Sequence, residues 1–155
     1  MEFFSVIMAG GGGTRFWPLS RQATPKQILN ITGKDVMINE TIERCKDIIS
    51  EQNTYIVTNN NQKDALNKVI CNTIPKDNIL IEPLSKNTAP CILMAAMKIY
   101  QARGDGIMCV LPSDHYIANI SDFKKVMSYA AIVADQTNKL VTIGVRPTFP
   151  STGYG

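Results

Sequence analysis

Ser5-Val6-Ile7-Met8-Ala9 runs directly into Gly10-Gly11-Gly12-Gly13-Thr14-Arg15, and the passage continues Phe16-Trp17-Pro18-Leu19-Ser20-Arg21. A short apolar run that stops at glycine reads as a buried strand, here Phe4 to Ala9. A strand that only had to turn needs one or two glycines. Four in succession remove every Cβ and free the backbone to take positive φ, so that neighbouring N–H groups can converge on the oxygens of an anion. In an open α/β sheet, the loop after the first strand is the usual place for a ligand phosphate, so fold and candidate site are read from one stretch.

Outward from it, β-rich runs alternate with helical periodicity, the pattern of a mostly parallel α/β sheet. Further strands are expected at Tyr55 to Thr58, Ile79 to Glu82, Ile107 to Leu111 and Leu140 to Gly144. Ile38, Ile42, Cys45 and Ile49 recur at helical spacing, as do Leu66, Val69 and Ile70, and again Phe123, Val126, Met127 and Ala130, with Ser121 placed to cap the last of these. The segment from Thr88 to Ala102 is apolar almost all round. It is expected to be a buried helix with Pro90 in its first turn. The fold class is therefore α/β and Rossmann-like, a mostly parallel sheet flanked by helices. No repeat, low-complexity tract or linker interrupts it, and "PTFPSTGYG" (147–155) stops among turn residues, so the chain reads as cut short.

The 155 residues are 45% hydrophobic and 19% charged, with a net charge of +3, which fits one soluble domain with a sizeable core. The positive excess is scattered, so a nucleic-acid surface is not expected, while anionic small molecules remain suitable ligands. No apolar run is long enough to span a bilayer, and the acidic N-terminus is unlike a secretory signal, so no membrane association is expected and the cytoplasm is the expected compartment. Cys45, Cys71, Cys91 and Cys109 fit no metal or CxxC spacing and are expected to be reduced, buried thiols.

Two familiar glycine motifs fail on counting. A G-x-G-x-x-G dinucleotide fingerprint needs a small residue where Arg15 stands, and a Walker loop needs Gly, Lys and Ser/Thr where Arg15, Phe16 and Trp17 follow. The amides of "YIVTNNN" (55–61) also replace the acidic residue that an NAD site carries after its second strand. A bare glycine run would serve equally as a flexible turn. Arg15, a guanidinium fork suited to phosphate oxygens, and Lys26 of "TPKQ", a compact second cation, favour a site for several phosphates.

"GGGGTRFWPLSR" followed by "PKQ" resembles the signature of the sugar-1-phosphate nucleotidylyltransferases, and most resembles their mannose-1-phosphate guanylyltransferase branch. "EPLSKNTAP" (82–90), "LPSDH" (111–115) and "PTFPSTGYG" are similar to that branch's nucleotide-binding, metal-binding and sugar-binding segments, with Lys86 and Ser151 as departures from common Arg and Glu. The resemblance implies a nucleotide-diphospho-sugar transferase fold, of which residues 1–155 are the nucleotide-binding part and the remaining sugar-binding part is absent. It implies transfer of GMP from GTP to mannose 1-phosphate. Gly10, Gly11, Gly13 and Thr14 would cradle the triphosphate, Arg15 would draw charge toward the leaving pyrophosphate, and Lys26 would hold the α-phosphate beside the sugar phosphate. Glu82, Asn87 and Thr88 would contact the nucleotide, Gly153 and Tyr154 the sugar, and Asp114 would anchor Mg2+.

Residue chemistry supports parts of this scheme. In-line attack by a phosphate oxygen needs cations and N–H donors rather than a protein nucleophile. Asp114 follows an apolar strand, at the edge where phosphates are expected, and magnesium is commonly held by one or two carboxylates plus substrate oxygens. Thr88 is equally suited to cap a helix. His115 is assigned no role, and Trp17 is expected to pack. The alternatives are a nucleotide-binding module or regulatory subunit without turnover, and a nucleotidylyltransferase that uses another sugar phosphate or base. The branch's second metal carboxylate corresponds to a position beyond Gly155, so the isolated chain is expected to bind GTP and magnesium yet turn over weakly. A truncated sheet could expose an apolar edge, which makes a homodimer a reasonable expectation.

Overall fold

The computed structural model describes residues 1–12, 16–21, 24–70 and 72–150. Its sheet is built from β1 (Glu2–Met8), β2 (Thr54–Asn59), β3 (Ile79–Glu82) and β4 (Gly106–Pro112). The strand order is β3-β2-β1-β4, and every neighbouring pair is parallel. The helices α1 (Met37–Cys45), α2 (Asn60–Asn67), α3 (Thr88–Arg103) and α4 (Ile120–Thr137) lie between or after the strands.

Alternation along β1 decides which helix covers which face, because successive side chains point to opposite sides of a strand. Phe4 and Val6 join Tyr55, Val57 and Leu80 under Cys91, Ala95 and Ile99 of α3. Ile7 and Ala9 join Ile56 under Ile38 and Ile42 of α1 and Leu66 of α2. Cys109 of β4 meets Met127 of α4 and Ile49 in a smaller cluster. Covered on both faces, β1 and β2 are buried almost without a break, as central strands of a parallel sheet should be.

Chain order places the ligand edge. The chain moves outward from β1 to β2 to β3 and then returns to the other side of β1 to form β4, so the order reverses between β1 and β4. Met8 is level with Pro112 across that boundary, and the Ser113 amide extends the ladder to Met8 O at 3.3 Å. The carboxyl ends of two strands that run in parallel and then diverge leave a crevice there, the general location of ligands in such sheets.

Four local expectations are corrected. Leu140–Gly144 forms no strand: Leu140 is fully exposed, and the segment has β-propensity but, among the described residues, no partner strand to receive its backbone groups. α4 is capped by Asn119, not Ser121; Asn119 Oδ1 accepts from the Asp122 amide at 3.1 Å, and Ser121 falls within the first turn. Thr88 is the first residue of α3 rather than its cap, a place taken by Asn87 without a side-chain bond. α3 is buried along Cys91, Ala95 and Ile99 only, while Leu93, Met97 and Tyr100 are exposed, because one sheet face covers only one stripe of a helix.

Candidate active site

The glycine loop, the turn bearing Lys26, and the residues after β2, β3 and β4 meet at the carboxyl edge. Lys26 opens a single 3-10 turn, Lys26–Ile28, that begins after the buried Pro25. Its side chain runs back under the loop, so that a Cβ built on Gly11 would lie 3.6 Å from Lys26 Cε and 3.8 Å from Nζ. The ammonium donates to the Asp114 carboxylate in a part-buried ion pair. The two charges expected to handle phosphate and metal are therefore already together, beside Gly11.

Asp114 reaches this point because its loop is held from below. Arg44 of α1 is 5% exposed, and it donates to the His115 carbonyl at 3.0 Å and to the Thr41 hydroxyl at 2.9 Å. The Thr41 oxygen also lies 3.4 Å from the Ser113 carbonyl. The residues on both sides of Asp114 are thus fixed to α1 through main-chain oxygens. Arg44 sits over the Phe123 ring at 5.3 Å, and burial pulls its pKa down from the usual guanidinium value. His115 contributes its carbonyl to the scaffold, in keeping with its unassigned side chain.

Behind the loop, β2 and α2 present neutral donors. Thr58 Oγ1 donates to the Ala9 carbonyl at 3.1 Å, and Asn59 Nδ2 donates to the Gly10 carbonyl at 2.8 Å. The Gly11 carbonyl receives Gln27 Nε2 at 3.0 Å and Gln62 Nε2 at 3.1 Å. Motif reading assigns none of these four side chains a role. Their signal lies in "TNNNQ" (58–62) and in the glutamine after Lys26, polar residues placed where a strand ends at a ligand edge.

Glu82, at the end of β3, is buried beneath the loop, and burial raises its carboxyl pKa. A Cβ on Gly10 would come 3.1 Å from Glu82 Oε2, so glycine there lets the carboxyl and the main chain approach closely. Asn87 and Thr88 are exposed at the same edge, at the start of α3. Asn87 has φ 68° and ψ −163°, a backbone region that is essentially reserved for glycine and that tends to occur at functional turns. Gly13, Thr14, Arg15, Gly153 and Tyr154 lie outside the described residues. Trp17 does not pack in the core as expected: it is 73% exposed, with the Arg21 guanidinium 5.8 Å from its ring centre.

Cys45, Cys91 and Cys109 are free and buried, as expected, and burial pushes their thiols up to about 11, 11 and 12. Cys71 lies outside the described residues. Among the described residues, no three His, Cys, Asp or Glu side chains group together in a metal-binding cluster, and no helix is long and apolar enough to cross a membrane.

A doubly wound parallel sheet with a glycine loop, an ammonium and a carboxylate at its switch point is the architecture of a nucleotide-handling α/β protein. The profile described as Nucleotidyl transferase matches residues 4–155, and the chain belongs to that family. It is 38% identical over 154 residues to the xanthan biosynthesis protein XanB of Xanthomonas campestris pv. campestris, covering 99% of this chain and 33% of that protein. It is 39% identical over 158 residues to a mannose-1-phosphate guanylyltransferase of Escherichia coli, covering 97% of this chain and 32% of that protein. The chain thus spans about a third of the length of these relatives. The crystal structure of a Thermus thermophilus protein named mannose-1-phosphate geranyltransferase superposes with a TM-score of 0.77 at 27% identity, over 88% of this chain and 39% of that one.

Proposed function

We propose that the chain is the nucleotide-binding part of a mannose-1-phosphate guanylyltransferase, which joins GTP and mannose 1-phosphate into GDP-mannose and releases pyrophosphate. The observation that carries this reading is the placement of the Lys26 ammonium between the Gly11 backbone and Asp114, at the β1–β4 switch point. Relatives carrying the guanylyltransferase name, such as that of Escherichia coli, support the choice of sugar and base.

In this scheme the attacking phosphate oxygen of the sugar displaces pyrophosphate from the α-phosphorus, and no covalent intermediate with the protein is needed. The chain aligns two polyanions and offsets their repulsion. Amides of the glycine loop receive the triphosphate oxygens, Lys26 bridges the α-phosphate and the incoming phosphate, and Arg15 withdraws charge toward the leaving group. The Lys26–Asp114 pair keeps the edge neutral before substrate arrives, and a bound polyphosphate would compete with Asp114 for the ammonium. Glu82, or loop carbonyls near Asn87 and Thr88, would accept the paired donors of guanine. Residues 153 and 154 would begin the sugar pocket.

Magnesium fits this donor set in one form only. Asp114 offers a single part-buried carboxylate and no three-residue cluster surrounds it among the described residues, which suits an ion that takes most of its ligands from water and substrate phosphates. When bound, such an ion neutralises phosphate charge. Binding of the four nucleoside triphosphates to the chain, with magnesium, tests the reading: GTP should bind tightest, and equal affinity for all four would remove the guanine assignment.

A further inference from the structure

A trans peptide fixes the direction of its N–H once its carbonyl is held, because the two groups point to opposite sides of one rigid plane. At the glycine loop, three consecutive carbonyls are held: that of Ala9 by Thr58, that of Gly10 by Asn59, and that of Gly11 by Gln27 and Gln62 together. Each hold orients the amide of the next residue, namely Gly10, Gly11 and Gly12. Among the described residues these three amides have no hydrogen-bond partner.

Gln27 and Gln62 occupy a special place in this set. Gln27 is fully buried, and its Nε2 also lies 3.3 Å from Gln62 Oε1, so the two side-chain amides form a linked pair on one carbonyl. The orientation of both amides is dictated by chemistry, since turning either one would set two oxygens against each other. Gln27 follows Lys26, and Gln62 stands in the first turn of α2. The pair therefore ties the lysine's turn, the glycine loop and α2 to a single atom, Gly11 O. Gln27 Oε1 is buried with no partner among the described residues, a cost of the kind tolerated where a side chain is needed for its other end.

We infer that Gln27 and Gln62 are positioning residues: by clamping the Gly11 carbonyl they aim the Gly12 amide outward, and hold it in register with Lys26, to bind a phosphate oxygen of a polyphosphate. This rests on the proposed nucleotide site and names the side chains that preorganise it. A loop of four glycines has large conformational freedom, and ordering it only when ligand arrives would weaken binding. The clamp orders it beforehand with neutral groups, which add no charge to compete with Lys26.

The test follows inorganic tripolyphosphate binding to the chain by backbone amide and carbonyl resonances, in the wild type and in Gln27→Met/Gln62→Met, which keeps the length of both side chains and removes both donors. Tripolyphosphate should shift the Gly10, Gly11 and Gly12 amides of the wild type. The double variant should keep the dispersed sheet resonances of Val6 and Val57 and move the Gly11 carbonyl signal while the Gly10 carbonyl, still held by Asn59, stays. It should bind about tenfold or more weakly, as expected for two lost hydrogen bonds that orient a site. A folded double variant with wild-type affinity would overturn the inference while leaving the nucleotide site intact. Wild-type glycine amides unmoved by tripolyphosphate would overturn the site itself, and the inference with it. If the double variant does not fold, Gln62→Met alone should weaken binding about threefold, and undiminished affinity in that folded variant would overturn the inference equally well.

Discussion

The two sides of the glycine loop are built from different chemistry. On the β2 side stand uncharged donors, Thr58, Asn59, Gln27 and Gln62, each satisfied by a main-chain oxygen. On the β4 side stands a part-buried ion pair, Lys26 and Asp114, whose charges can be redirected to a ligand. Neutral hydrogen bonds are short-ranged and geometrically strict, which suits holding a backbone; charges act over longer distances and respond to salt, which suits receiving a polyanion. Under the proposed function, the difference teaches that rigidity and attraction are supplied by separate groups, so each should be removable without the other.

The largest effect should come from the charged side. Under the proposed function, Lys26→Ala should lower guanylyl transfer by about 100-fold to 1,000-fold, by analogy with loss of one transition-state donor. Its melting temperature should fall modestly, because the part-buried Asp114 carboxylate loses its partner, while the sheet and its core clusters stay intact. Arg15→Ala should slow transfer to a similar extent. Steady-state rates and thermal unfolding, measured side by side, check both.

Next in size is Gly10→Ala, which forces a methyl to within 3.1 Å of Glu82 Oε2. The cost should be about 1 to 3 kcal/mol, the range for overpacking a well-filled region, read from denaturant unfolding. The clash is with Glu82 and not with Lys26 or Asp114, so the salt dependence that this ion pair confers on nucleotide binding should be preserved. Thr58→Val should cost about 1 kcal/mol by removing the hold on the Ala9 carbonyl, again without changing the salt slope. A changed slope in either variant would erase the division between the two sides.

The smallest effect concerns Glu82, the one ionisable group buried against the loop among the described residues. Burial raises its folded-state pKa, so the folded chain takes up the proton more readily than the unfolded chain. The stability linked to that proton is fully present below the unfolded pKa and is lost as pH rises through the folded pKa. Glu82→Gln should therefore lose less stability than wild type as pH is raised from acid to neutral. Parallel melting curves across that interval would show it, and coincident pH profiles would refute it.

Much of this molecule is legible in its sequence because the central features are local. The strand Phe4 to Ala9, the glycines after it and the carboxylate after "IMCVLP" depend on apolar runs and turn residues that are adjacent in the chain. Lys26 beside Gly11 and Asp114 is reached through motif resemblance, and the structure brings all three together. What escapes are side chains whose value comes from non-local partners. The amides of "YIVTNNN" speak against a dinucleotide site, yet Asn59 among them holds the Gly10 carbonyl. Gln27 reads as part of a motif, but its purpose depends on Gln62, which lies far away in sequence. Leu140–Gly144 fails for the same reason in reverse, since β-propensity is local and a pairing partner is not.

The most direct test is an affinity ladder on the chain with magnesium present: guanosine, GMP, GDP and GTP, followed by competition between GTP and inorganic tripolyphosphate. If the loop and Lys26 grip a phosphate tail, affinity should climb with each phosphate and tripolyphosphate should displace GTP. Guanosine binding as tightly as GTP, with tripolyphosphate unable to compete, would contradict it.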